Sequence, residues 1–128
     1  MTAVVAILVV CGLAGPAAAA EADDYLLHCA GCHRLDASGS ATVPALDEIG
    51  ILFTVPGGRE YLGSVPGAAQ APLSDERLAR LLNWILPRFG HTPARPPYTA
   101  AEVKHLRAKP LRDPIGARAR LLAPEDSD

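Results

Sequence analysis

The sequence is poor in several residue types, and each shortage excludes a class of protein. Its three cysteines are too few for a scaffold held together by disulfides. Its net charge of −2 lacks the positive excess that binding to nucleic acid requires. Aromatic residues make up only 5% of the chain, and the single methionine is Met1. What remains is 128 residues with 11 glycines and 12 prolines, which is typical of one loop-rich globular domain.

The first 20 residues carry no charged side chain. Residues 4–13 are almost wholly apolar, Pro16 interrupts the run, and residues 17–20 are all alanine. This order predicts a secretory signal peptide that is cleaved after Ala20, with export to the bacterial periplasm. A stable bilayer span needs about 20 apolar residues, so no span is expected after cleavage, and an uncleaved membrane anchor is the alternative. Cys11 would be removed with the signal, and the remaining chain would contain no methionine.

The motif Cys-x-x-Cys-His occupies residues 29–33, and this pattern is typical of c-type haem attachment. Residues i and i+3 share one face of a helix, so Cys29 and Cys32 can both reach one edge of a porphyrin and form thioethers. His33 can then bind the iron from the same side as the proximal ligand. Three alternatives are a redox-active dithiol, a zinc site and a structural disulfide. Redox-active dithiols of this kind occur in a βαβ context, which the sequence lacks. A zinc site needs four ligands. A disulfide between residues i and i+3 does not close easily within a helix.

The chain resembles the small class I c-type cytochromes over residues 21–90. The matching positions are Tyr25 before the motif, Pro44 and Leu46 in the pattern Pro-x-Leu, and Trp84 near the end of a later helix. The resemblance implies an all-α fold of three main helices around one covalent haem c. It also implies that Pro44 accepts a hydrogen bond from the proximal histidine, and that the Tyr25 and Trp84 rings pack together.

Local patterns predict the other helices. Ser74 is a good N-cap for an amphipathic helix that would end at Gly90. Residues 59–62 match the short middle helix of the family, between two Val-Pro-Gly sequences interpreted as turns. Thr99 and Glu102 form a capping box, and Asp113 followed by proline predicts another helix start. These last signals lie in residues 91–128, which are expected to form a C-terminal extension with a short helix and a frayed tail.

The sequence departs from this family at the sixth iron ligand. The family places a methionine before the last core helix, but residues 65–73 contain none. His91, His105 and Gln70 are the candidates to replace it. The alternative is an open sixth position lined by small residues of the same loop. Arg59 is a candidate partner for a haem propionate, and His28 is expected to face the surface or the propionate side.

These features predict an electron carrier rather than an enzyme. A single haem would pass electrons from a donor such as a dehydrogenase to an acceptor oxidase or reductase, in small transient encounters. Two other hypotheses remain open. One is a haem protein whose open sixth position binds a small ligand, and the other is a cytochrome subunit of a larger redox complex. An exposed apolar stripe on residues 99–122 would favour the subunit.

Overall fold

A computed structural model describes residues 16–124, and these residues form helices and loops without a β-strand. The predicted all-α fold is therefore confirmed. The helices are α1 (Pro16–His28), α2 (Ala30–His33), a 3-10 helix (Ile49–Thr54), α3 (Gly58–Ser64), α4 (Pro66–Ala69), α5 (Asp75–Arg88), α6 (Ala100–Arg107) and α7 (Pro114–Leu121). Most of the expected signal peptide, including Cys11, lies outside the described residues. Residues 16–20 form the first part of α1.

Helices α1 and α5 pack through a cluster of aromatic rings. The Tyr25 and Trp84 ring centroids lie 5.9 Å apart, so the predicted contact between these rings is present. Phe89 completes the cluster, with its ring centroid 4.9 Å from that of Tyr25 and 5.8 Å from that of Trp84. The tilted and edge-on orientations are those that aromatic pairs prefer.

Two carboxylates of α1 are buried against α5 and are neutralised by arginines. Asp24 accepts hydrogen bonds from the guanidinium of Arg77, and its side chain is only 4% exposed. Glu21 accepts from Arg80 Nε at 3.2 Å. Burying a carboxylate is costly unless it is paired, so these two ion pairs fix the register of α1 on α5.

Helix α5 begins where the sequence predicts. The Ser74 hydroxyl accepts the Arg77 backbone N–H at 3.3 Å, and the apolar stripe of the helix is buried. The end of the helix differs from expectation, because Phe89 is the C-cap and Gly90 follows it. Gly90 serves packing instead, since a Cβ there would lie 2.6 Å from Ile49 Cγ1.

The core continues past residue 90 into the expected extension. Val103 on α6 is buried, and so is Tyr98 before it. Asn83 of α5 donates to the Tyr98 carbonyl at 3.0 Å and accepts its N–H at 2.8 Å. Ala94, Tyr98 and Val103 therefore belong to the same hydrophobic core as α1 and α5, which local helix signals alone did not indicate.

Helix α7 packs against α3 and begins with the predicted cap. Asp113 Oδ1 accepts the Gly116 N–H at 2.8 Å, and Pro114 occupies the first turn. Proline suits this position because the first helical N–H has no intrahelical partner.

Candidate haem-binding site

The Cys-x-x-Cys-His motif forms a tight turn at the end of α1. Cys29 interrupts the helix, and its carbonyl accepts the backbone N–H groups of Cys32 at 3.1 Å and of His33 at 2.9 Å. The Tyr25 hydroxyl donates to the Arg34 carbonyl at 2.7 Å, which anchors the chain just beyond the motif. Both thiols and the imidazole line one cavity.

A folded loop brings Pro44 back to the motif histidine. The backbone turns at Arg34, Ala37 and Gly39, which all have positive φ. Glycine is required at position 39, because a Cβ there would lie 2.3 Å from the Val43 carbonyl oxygen. His33 Nδ1 lies 3.0 Å from the Pro44 carbonyl oxygen, as the resemblance implies, and can only donate to it.

This hydrogen bond leaves His33 Nε2 as the free nitrogen with a lone pair. Burial lowers the pKa of His33, and the Pro44 bond opposes this shift only in part. The imidazole is therefore neutral at pH 7, the form that binds a metal ion. A carbonyl partner on the other ring nitrogen also orients the ring and raises its basicity as a ligand.

The cavity has a volume of about 600 Å³ and mostly apolar walls. Its walls combine the motif with side chains from the loop after it, from the 3-10 helix, from α3 to α5 and from α7, including Val43, Leu46, Ile49, Leu62, Val65, Leu78, Leu81, Leu82, Ile85 and Leu86. A large apolar cavity with two thiols and the oriented imidazole of His33 on its wall fits a porphyrin that carries a central iron. The residues present therefore fit the group that the motif implies.

The cysteine chemistry does not favour the alternatives. Burial, with smaller effects of Asp24 and Cys32, raises the pKa of Cys29 to about 11. Redox-active dithiols need the opposite, a lowered thiol pKa. Cys29 and Cys32 form no disulfide, and the described part of the chain holds no group of three or more His, Cys, Asp or Glu placed to bind a metal ion.

Two relatives among known proteins are both named cytochrome c-552 and come from Thermus thermophilus. The first is 33% identical over 126 aligned positions, which cover 77% of this chain and 84% of that protein. The second is 33% identical over 108 positions, or 65% of this chain and 81% of that protein. This chain belongs to the c-type cytochromes. No family model matches the sequence, and no solved structure matches it either.

None of the predicted sixth ligands of this cytochrome reaches the cavity. His91, His105 and Gln70 are exposed and are absent from the cavity wall. The loop before α5 instead presents Val65, the three residues that follow it and no sulfur or imidazole group. Its Val-Pro-Gly sequence begins the short helix α4 rather than forming an open turn.

Arg59 occupies a different place from the one expected for a propionate partner. Its Nε and Nη2 donate to the two oxygens of Glu102 at 2.6 and 2.7 Å, and Nη1 donates to the Pro96 carbonyl at 2.8 Å. The guanidinium also lies 4.1 Å from the centroid of the Tyr98 ring. Arg59 therefore joins α3 to α6 and does not line the cavity.

Four polar residues that line this cytochrome's cavity had no predicted role, namely Ser40, Thr42, Tyr61 and Arg118. Tyr61 of α3 is buried and lines it, and Arg118 of α7 lines it from the C-terminal region. The only sequence feature that could have indicated a role for Tyr61 was its position within the predicted middle helix. No local pattern marked Arg118, because its approach depends on how α7 packs on α3. His28 also lines the cavity.

No helix within residues 16–124 is long and apolar enough to cross a membrane.

Proposed function

We propose that this cytochrome carries single electrons between redox proteins through one haem c bound covalently to Cys29 and Cys32. The observation that carries the proposal is the arrangement of the motif on the cavity wall. Two thiols lie one helical turn apart, and the imidazole that follows them is oriented by a carbonyl at 3.0 Å. When bound, haem iron supplies the one-electron couple between its ferrous and ferric states.

The chain's own residues would hold this group in three ways. Cys29 and Cys32 anchor the porphyrin edge, and His33 Nε2 binds the iron while Pro44 fixes the ring. The apolar walls from α5 and from the loop after the motif would cover a bound porphyrin and limit its contact with water.

Exposure around the motif supports transfer at the protein surface. Cys32 is exposed, and the apolar side chains of Leu27 and Leu35 on either side of the motif are 72% and 73% exposed. A small apolar surface beside a redox group suits brief encounters with other redox proteins. The donor is proposed to be a dehydrogenase and the acceptor an oxidase or a reductase.

Export is part of the same proposal. The apolar segment before Ala20 would direct the chain to the periplasm and be cleaved there, which would leave Glu21 at the new amino terminus. Electron transfer between periplasmic redox proteins requires that location.

The absence of the usual methionine supports a second candidate, an open sixth position that binds a small ligand. Among the cavity-lining residues of α3, α4 and the residue between them, only Tyr61 carries a heteroatom in its side chain. A site without a strong ligand would admit CO or NO. The subunit hypothesis gains less support, because Val103 is buried, Leu106 is half-buried, and only Ile115 of this region is a strongly exposed large apolar residue.

Absorption spectra of the holoprotein, oxidised and reduced, with and without CO, distinguish the two candidates. A low-spin spectrum that CO leaves unchanged supports the carrier with a firmly held sixth ligand. A high-spin spectrum that shifts with CO supports the ligand-binding protein. Tyr61→Phe serves as the matched variant, since it tests whether the one phenol in this part of the cavity binds the iron. Absence of covalent haem would overturn both candidates.

A further inference from the structure

Helix α7 places two apolar residues, Pro114 and Ile115, and one cationic side chain on the haem cavity. Ile115 and Arg118 both line it, three residues apart and therefore on one face of the helix. Arg118 is the only arginine or lysine among the described residues that line this cavity. Its side chain is 15% exposed.

The protein itself provides little to compensate this charge. The carboxylate that pairs with it is that of Glu48, with an oxygen 3.5 Å from Arg118 Nη2 and a side chain that is 72% exposed. A solvated pair at this distance stabilises the charge only weakly. A poorly paired guanidinium beside an apolar cavity is costly, so the arrangement calls for an anion inside the cavity.

The phenol of Tyr61 lies next to the same guanidinium. Burial raises the pKa of Tyr61, whereas the charge of Arg118 and a hydrogen bond with it oppose this shift. Phenol and guanidinium thus present neighbouring donors at one place on the cavity wall. Such a pair matches a carboxylate, which accepts bidentate bonds from arginine and further bonds from hydroxyls.

We infer that Arg118, with Tyr61 beside it, binds a propionate of the haem. This inference rests on the proposed function, since the propionates are the anionic groups of a haem c. Arg118 takes the role that the sequence suggested for Arg59, whose donors are used by Glu102 and Pro96. Helix α7 would then close the cavity, with Ile115 against the porphyrin.

The test compares Arg118→Leu and Arg118→Lys with a control on the same helix. Arg120→Leu is the matched control, because the Arg120 side chain is 72% exposed and lies 3.7 Å from Asp113. The readouts are the propionate bending band in the resonance Raman spectrum and the midpoint potential at pH 7. We expect Arg118→Leu to shift the band and to lower the potential, since a nearby positive charge favours the reduced haem. Arg118→Lys should keep most of the potential but still shift the band, and Arg120→Leu should change neither.

Other outcomes separate the possible failures. If Arg118→Leu and Arg120→Leu have the same band and potential while both carry covalent haem, the inference is wrong and the proposed function stands. If Glu48→Gln reproduces the effects of Arg118→Leu, Arg118 acts through its ion pair with Glu48 and does not bind a propionate. Absence of covalent haem from the wild-type protein would instead contradict the proposed function. Should Arg118→Leu fail to fold, the band in Arg118→Lys and in Tyr61→Phe decides the question.

Discussion

Replacing Arg107 with leucine should destabilise the protein strongly, because this side chain ties α6 to the loop before α5. Its guanidinium donates to the carbonyl oxygens of Ala69 at 3.0 Å, Ala71 at 2.6 Å and Leu73 at 2.7 Å. It also lies 3.2 Å from an oxygen of Asp75. The side chain is only 18% exposed, so water has limited access to these acceptors.

The expected loss follows from the three carbonyls that would lose their partner. A hydrogen bond to a charged group contributes about 1.5–3 kcal/mol, and a buried acceptor left without a donor costs about 1–3 kcal/mol. With some rehydration of the opened loop, Arg107→Leu should lower the free energy of unfolding by about 3–5 kcal/mol. Total stabilities of about 5–15 kcal/mol make this a large fraction. The thermal midpoint should fall by at least about 12 °C.

Guanidinium chloride unfolding of the holoprotein measures this loss, and Lys104→Leu is the matched control. Lys104 is exposed on the same helix, so its replacement should change stability by less than about 0.5 kcal/mol. The opened loop should also let CO bind faster if the sixth position is open. A loss below about 1 kcal/mol for Arg107→Leu would contradict this expectation, because it would mean that water replaces these hydrogen bonds without cost.

Three further changes test the packing of the fold. Gly58→Ala should cost about 1–3 kcal/mol of stability, because the new Cβ would lie 1.8 Å from the Leu52 carbonyl oxygen, and an unchanged denaturation midpoint would contradict this. Glu102→Gln should cost about 1 kcal/mol at pH 7 by removing the pair with Arg59. Because that pair lowers the pKa of Glu102, its stabilisation is present above the unfolded pKa of about 4.3 and is lost as pH falls through the folded pKa. Thermal melts should therefore show the deficit shrinking in acid, and a deficit that stays constant down to about pH 3 would oppose the argument. Asp113→Ala should cost about 1 kcal/mol and speed hydrogen exchange in α7, whereas unchanged exchange would show that this cap is dispensable.

The parts of the molecule that could be predicted from the sequence are those governed by neighbours along the chain. The N-caps at Ser74, Thr99 and Asp113 each accept a backbone N–H three residues ahead, so their signal lies within one turn. The hydrogen bond between His33 and Pro44 was expected from the family resemblance. The spacing of these residues in the sequence does not by itself predict this contact.

The parts that could not be predicted depend on contacts between distant segments. In the sequence, no residue close to Arg59 or Arg118 indicates which group either guanidinium binds. Only the packing of α6 and α7 on α3 gives the first a carboxylate partner and the second a place on the cavity wall. Likewise, nothing local distinguishes Arg107 from the other basic residues of α6, although it alone reaches three carbonyls of the loop.

The proposed electron carrier depends on one haem attached to Cys29 and Cys32, and intact mass spectrometry under denaturing conditions detects this attachment. The protein is expressed with a cytochrome c maturation system, as the wild type, as Cys29→Ala with Cys32→Ala, and as Cys11→Ala. We expect the wild type and Cys11→Ala to keep the added mass of one haem and the double variant to lose it. A wild-type chain at its bare polypeptide mass, or a double variant that keeps the haem mass, would contradict this proposal.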